Sequence, residues 1–451
     1  MPIKIYSAQW VLPVTSPPIE RGAVAVEGAR VVGVGSSDGI AARFPEAARE
    51  DFGAAALLPG LVNCHSHLEL TAMRGYLEDV EGDFFAWLFK LTAARTGSMT
   101  PEDLRDSAAW GAVEAARAGV TTLGDACSEG EASARALREV GLRGVVYQEA
   151  IHPDPARADE TFGKLEINLA RLRALETPLV RAGVSPHAPY SASARLIERV
   201  TALAEADDLP LMIHAAESEA EDLLLREGRG IFADSLAARG IEWRAPRVSP
   251  IRYLEQLGLL RVKPVLAHCV RAGDEDIETI KESGAGVAHC PKSNAKLGHG
   301  RAPYEKFLPL RHGLGSDSVA SNNTCDILEE ARFALLLARS ANERANLDAL
   351  TAERALRDAT LGGARVLGLD DCGSLEEGRQ ADLAVVRLDA PHQTPAHDPA
   401  RALVFASSGR DAVLTVVAGN EIFRDGRVLN VDEERLRARM EEILKAVTGD
   451  R

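Results

Sequence analysis

The chain has no apolar run of the roughly 18 residues that a membrane-spanning helix requires. Its N-terminus lacks the basic region and long apolar segment of a signal peptide and passes from Met1-Pro2-Ile3 straight into a strand-like pattern. No Cys-x-x-Cys occurs. The six cysteines (64, 127, 269, 290, 325 and 372) are scattered, which excludes a zinc ribbon, argues against a disulfide framework and points to a reducing cytoplasm. There is no basic excess: the formal charge is -15, so phosphate backbones would go unneutralised and a nucleic-acid partner is disfavoured. No internal repeat and no low-complexity tract is visible. What remains is an ordinary globular balance, 46% hydrophobic and 26% charged over 451 residues, enough for a large core.

One stretch organises the rest. An apolar run from Ala55 leads into Pro59-Gly60-Leu61-Val62-Asn63-Cys64-His65-Ser66-His67. Residues i and i+2 of a strand leave the same side, so His65 and His67 are placed to grip one ion. A His-x-His pair alone carries little; its weight comes from the polar residues that end later strands.

Residues 1–55 read as short strands, with a turn at Glu27-Gly28. From residue 56 to 370, apolar runs alternate with amphipathic segments. The strands expected are Leu57–Asn63, Val120–Asp125, Gly144–Gln148, Val180–Ser185, Pro210–His214, Pro264–His268, Gly286–His289 and Gly313–Ser316. Eight strands alternating with helices predict an α/β fold, a (β/α)₈ TIM-type barrel. An open doubly wound sheet is the weaker reading, because no Gly-x-Gly-x-x-Gly follows the first strand. Strand signals resume over 371–430 with a turn at Asp425-Gly426, and 431–451 reads as a charged amphipathic helix. The terminal strand segments are expected to pair into a small β-sandwich.

Polar residues gather at the strand ends, where barrel active sites form. His214 and Glu217 follow the fifth strand, His268 the sixth and Asp317 the eighth. Each alone is a weak signal. Together, His65, His67, His214 and Asp317 make a ligand set for one divalent ion with a position left for water. Such an ion lowers the pKa of water to about 7. Asp317 can take the water proton, His268 can hydrogen-bond the hydroxide or the developing oxyanion, and Glu217 can protonate a ring nitrogen of a substrate.

These motifs, with Ser185-Pro186-His187-Ala188-Pro189-Tyr190-Ser191 and His289-Cys290-Pro291-Lys292-Ser293-Asn294-Ala295-Lys296-Leu297, resemble the amidohydrolase superfamily, in its mononuclear deaminase and chlorohydrolase branch. The resemblance spans nearly the whole chain. It implies a barrel with a β-sandwich built from both termini, one Zn or Fe ion at the four ligands, and Glu217 and His268 in the roles above. No lysine ends the third or fourth strand, so the carboxylated lysine of dinuclear relatives is not expected. The Pro186–Tyr190 segment is similar to that of methylthioadenosine/S-adenosylhomocysteine deaminases, where the histidine matching His187 touches the nucleoside. His67-Leu68-Glu69 and Phe84-Phe85-Ala86-Trp87-Leu88 are closer to 6-aminodeoxyfutalosine deaminases. The acidic residue that holds ribose in the methylthioadenosine group has no counterpart over Ala94–Gly97, which leaves Glu69 as the ribose contact expected here and Trp87 as a cover for the 5′ group.

The function expected is hydrolytic deamination of an adenine-type nucleoside, aminodeoxyfutalosine first and methylthioadenosine or S-adenosylhomocysteine next. A guanine- or cytosine-type deaminase and a triazine hydrolase are the alternative enzymes. An inactive scaffold is the non-enzymatic alternative, against which the complete ligand set and Glu217 stand. The partner expected is a small-molecule substrate, with neither nucleic acid nor membrane; the oligomeric state is open, a homodimer being common among such barrels.

Overall fold

The computed structural model describes residues 2–341 and 347–449; Met1 and the end of the segment expected over 431–451 lie outside the described residues. No described helix is long and apolar enough to cross a membrane.

Strands β1 (Lys4–Val11), β2 (Ile19–Glu27), β3 (Arg30–Ser36), β4 (Ala48–Asp51) and β5 (Ala55–Pro59) come first. The β2–β3 hairpin turns at Gly28, whose φ of 54° is a glycine conformation. Strands β14 (Leu383–Arg387), β15 (Ala412–Val417), β16 (Asn420–Arg424) and β17 (Arg427–Val428) come from the other end of the chain. All nine share one sheet, ordered β17-β16-β15-β14-β5-β1-β2-β3 with β4 on β1. The two ends meet where β5 pairs antiparallel with β14, Leu57 opposite Val385. Asp425 and Gly426 both have positive φ at the β16–β17 turn, as a two-residue hairpin needs.

Between the two ends lie eight parallel strands in two arcs. One is β6 (Leu61–Ser66), β7 (Val120–Cys127), β8 (Arg143–Glu149) and β9 (Val180–Ser185). The other is β10 (Met212–Ala215), β11 (Val265–His268), β12 (Gly286–His289) and β13 (Arg311–Leu314). The arcs touch at both seams, through Val184–Leu211 on one side and Ser66–Asp317 on the other. These strands are buried along almost their whole length, as parallel strands covered by helices must be.

The strand expected at Leu57–Asn63 is therefore two strands in two sheets. The break falls at Gly60, where a Cβ would lie 2.1 Å from the Thr121 side chain; no other residue fits there without moving β7. Arg143 at the start of β8 pairs with Asp382, Nε to Oδ2 at 2.7 Å, both side chains buried. That bidentate pair ties the terminal sheet to the parallel strands. Breaking it by removing one partner would strand a buried charge. The helix Glu433–Thr448, capped by Asp432, lies on the helix Pro101–Arg117, with Arg439 reaching Asp103 at 2.7 Å and Asp106 at 3.0 Å.

Candidate active site

The C-terminal ends of the parallel strands meet over one cavity of about 700 Å³. His65 and His67 leave β6 on the same side, as the two-residue period requires. His214 follows from β10, His268 ends β11, and Asp317 stands three residues past β13. Asp317 Oδ1 lies 3.4 Å from His65 Nε2 and 3.5 Å from His67 Nε2, and His67 Nε2 lies 3.2 Å from His214 Nε2. The ligand atoms of His65, His67 and His214 fall within 4.8 Å of one another, and so do those of His65, His268 and Asp317. Five residues from far-apart strands converge on one point.

Each is aimed by a neighbour. His214 Nδ1 donates to the His187 carbonyl at 2.9 Å, which leaves Nε2 bare. His268 Nδ1 faces Asn294 Oδ1 at 2.9 Å. Asp317 Oδ2 accepts from Ser293 Oγ at 2.6 Å and from Ser321 Oγ at 3.0 Å, so Oδ1 alone turns to the imidazoles. The backbone is bent for this purpose: Ala216, His268 and Asp317 have φ of 52°, 76° and 60°, a region that non-glycine residues adopt at a cost.

The cluster fits a cation. His65 Nε2 and His268 Nε2 are buried with no hydrogen-bond partner among the described residues, an arrangement that costs free energy unless something else satisfies them. Burial pushes the His65, His67 and His187 imidazoles below their ordinary pKa, hence toward the neutral form that binds metal. Burial alone would raise Asp317, but the facing His65, His268 and His67 outweigh it and hold the carboxylate well below its usual range. Neutral imidazoles plus one carboxylate, without a lysine or sulfur, suit a single divalent ion.

Glu217 lies on the same floor. Its Oε2 accepts from the Tyr190 hydroxyl at 3.1 Å. Its Oε1 is 3.7 Å from His268 Nε2 and 3.6 Å from His299 Nε2. Burial would raise its pKa, but His268, His299 and His214 overcome this and hold it below the ordinary value. Glu221 fixes the loop beneath it, accepting from the backbone N–H groups of Ala216 at 3.1 Å and Glu217 at 2.8 Å.

The residues expected to touch substrate divide. His187 lines the cavity, its Nδ1 2.6 Å from Ser191 Oγ and its ring 4.6 Å from that of His214. Trp87 lines it too, stacked on Phe84. Glu69 borders the cavity but has both oxygens engaged, Oε1 by Ser128 N–H at 3.0 Å and Oε2 by Glu129 N–H at 2.9 Å, with Arg95 3.5 Å away. These contacts hold the wall and Arg95 in place.

Three residues escape a reading of the sequence. His299 sits between two loop glycines, Gly298 and Gly300, and nothing there signals that it returns to Glu217. Tyr190 is visible only as a motif letter. Asp125 lies on β7 beneath the His-x-His segment, its Oδ1 accepting from Ser66 Oγ and Leu68 N–H, both at 2.8 Å. Burial pushes its carboxyl up to about 7 against those hydrogen bonds. The folded chain thus holds a proton that the unfolded chain has released above the ordinary carboxylate range. This stabilises most below about pH 4 and is lost as the pH rises toward 7. Asp125→Asn should therefore show a smaller fall in Tm between pH 5 and pH 8 than the wild type; an equal fall would place the slope elsewhere.

Residues 56–422 match the amidohydrolase family. The chain belongs to the amidohydrolase family. A 5-methylthioadenosine/S-adenosylhomocysteine deaminase of Nitratidesulfovibrio vulgaris is 34% identical to this amidohydrolase over 437 residues, 95% of this chain and 93% of that one. A zinc-bound adenosine deaminase from Xanthomonas campestris superposes with a TM-score of 0.86 at 30% identity, covering 99% and 98% of the two chains. An aminofutalosine deaminase of Helicobacter pylori has the same fold, with a TM-score of 0.79 at 22% identity over 93% of this chain and all of its own. This amidohydrolase is a hydrolytic enzyme.

Proposed function

We propose that this amidohydrolase removes the 6-amino group of an adenine-type nucleoside with water. The observation that carries the reading is the placing of Glu217 beside the histidine and aspartate cluster on the floor of one cavity. A divalent ion held by His65, His67, His214 and Asp317, with zinc the first candidate and iron the second, supplies the Lewis acidity that makes water a nucleophile at neutral pH. Glu217, resting as a carboxylate, takes one water proton and hands it to N1 of the purine. His268 steadies the oxygen arriving at C6. Asp317 takes the second proton and returns it to the amino group. The C6–N bond breaks, ammonia leaves, and the ring keeps a C6 carbonyl and an N1–H. Binding that favours this tetrahedral arrangement over the flat ring lowers the barrier.

The same reading joins the two strand arcs into one eight-stranded barrel, with its boundary moved from residue 55 to Gly60. The terminal sheet folds over Tyr6, Val24, Leu57, Leu383 and Leu414 as a small sandwich, which is supported by their shared core.

Above the floor, Phe84, Trp87 and Phe232 form an aromatic wall, with Arg95 and Arg239 among the lining residues. This favours 6-aminodeoxyfutalosine, whose 5′ arm is an aryl ketone bearing a carboxylate. Methylthioadenosine or S-adenosylhomocysteine is the second reading, favoured by relatives such as the Nitratidesulfovibrio vulgaris deaminase at 34% identity. A panel of purine nucleosides followed by ammonia release tests both. Release from adenine nucleosides, fastest with aminodeoxyfutalosine, is expected. Silence on every purine with turnover of a triazine would overturn the proposal.

His299 positions Glu217 in this scheme. His299→Phe keeps a ring against Phe84, 4.5 Å away in the native chain, but removes the nitrogen facing Glu217. We expect kcat to fall about tenfold, the effect of about 1.4 kcal/mol of lost charge contact, and the acid limb of the kcat profile to move. An unchanged profile would reduce His299 to packing.

A further inference from the structure

A second cavity of about 800 Å³ lies on another side of the molecule, between the helix Pro101–Arg117, the segment after Asp317, and the terminal sheet with its final helix. Most of its charges are paired. Glu114 pairs with Arg74, and Glu433 with Arg117. Glu329 pairs with Lys292 at 2.6 Å. Asp326 is buried and takes N–H donors from Leu328, Glu329 and Gly409 at 3.0, 3.1 and 2.7 Å. Two lining cations are left over. Arg410 and Arg437 are exposed and form no ion pair among the described residues, although the charge of Arg410 helps to hold Glu329 low. The exposed Asp425 and the buried Asp326 are the lining carboxylates that form no ion pair among the described residues. Between these charges lie the half-buried Trp110 and the ring of Phe423.

We propose that this cavity is a second small-molecule site, taking a planar aromatic anion that stacks on Trp110 and meets Arg410 and Arg437. Aromatic faces and guanidinium groups are a recurrent pairing for such ligands. The proposal does not depend on which nucleoside the first cavity accepts.

Occupancy has a route to the catalytic floor. Cys325, in the cavity wall, donates its N–H to Glu114 Oε1 at 3.1 Å. Its Sγ accepts from Asn63 Nδ2 at 3.3 Å, and the same amide nitrogen reaches Ser316 Oγ at 2.7 Å. Asn63 Oδ1 in turn accepts from the N–H of Ser316 at 3.0 Å. Asn63 is two residues before His65, and Ser316 directly precedes Asp317. A ligand that draws Arg74 away from Glu114 loosens the anchor of Cys325, and through it the strand ends that carry His65 and Asp317.

Two probes separate the sources of the anion: guanosine 5′-monophosphate, which has no 6-amino group to lose, and 1-naphthoate. Each is titrated into the full-length enzyme while tryptophan fluorescence and deamination are followed. We expect a saturable quench with at least one probe. It should be absent in Trp110→Phe, so that a probe beside Trp87 is not counted, and weakened in the Arg410→Ala/Arg437→Ala double variant, whose exposed positions leave folding intact. A response to the nucleotide alone assigns a phosphate ligand, and to naphthoate alone a carboxylate. Saturation should change kcat/KM about fivefold, within the usual range of coupling between sites. No Trp110-dependent quench with either probe, a quench unaltered by the double variant, or saturation with kcat/KM unmoved would overturn the proposal.

Discussion

Glu217→Gln is expected to lower kcat on the best purine nucleoside by about 10²–10⁴-fold, the usual worth of a positioned proton-transfer group. The substitution exchanges one oxygen for an amide nitrogen. Gln still fills the buried site, still receives the Tyr190 hydroxyl on its remaining oxygen, and still offers its backbone N–H to Glu221. It cannot take a proton from water or hand one to a ring nitrogen. Metal content and Tm should stay near the wild type, and KM should change far less than kcat, because the lost contact is made in the transition state. Unaltered turnover in a folded, metal-replete Glu217→Gln enzyme would remove the proton path described above.

The second large effect is on the ion. Dialysis against a strong chelator should bring turnover to the limit of detection, and Zn or Fe(II) should restore it. The reason is local. Without a cation, His65 Nε2 is a buried nitrogen with no hydrogen-bond partner among the described residues, and the carboxylate of Asp317 faces imidazoles that burial keeps neutral. An ion that satisfies them binds the folded chain and not the unfolded one, so it also stabilises the fold. The chelated protein should melt at a lower temperature and recover when metal is returned. Full activity in a chain shown to be free of metal would contradict the ligand set. His67→Ala should resemble the chelated enzyme, with added metal giving little recovery.

The parts of this site that a reader of the sequence can find are those set by local geometry. The alternation of a strand places His65 and His67 on one side, and an imidazole or carboxylate at the end of an apolar run announces itself, as at His214, His268 and Asp317. The strands from Val120 to His289 are legible for the same reason: short buried runs between amphipathic helices. What is hidden depends on residues far apart in the chain. The apolar run from Ala55 to Val62 looks continuous, yet Gly60 divides it between two sheets because Thr121 leaves no room for a side chain. The N–H groups of Ser128 and Glu129, some sixty residues away, engage the oxygens of Glu69, and nothing near Glu69 in the sequence announces them. The Arg143–Asp382 pair and the return of His299 to Glu217 depend on the same long-range packing. The second cavity has no motif at all, since it arises where the helix Pro101–Arg117 meets the terminal sheet.

The most direct test of the metal centre is X-ray absorption at the edge of the metal that copurifies with the enzyme. A first shell of imidazole nitrogen and carboxylate oxygen at about 2.0–2.2 Å, with no metal–metal scattering, is the predicted result. Sulfur in that shell, or a second metal at about 3.5–4 Å, would contradict it.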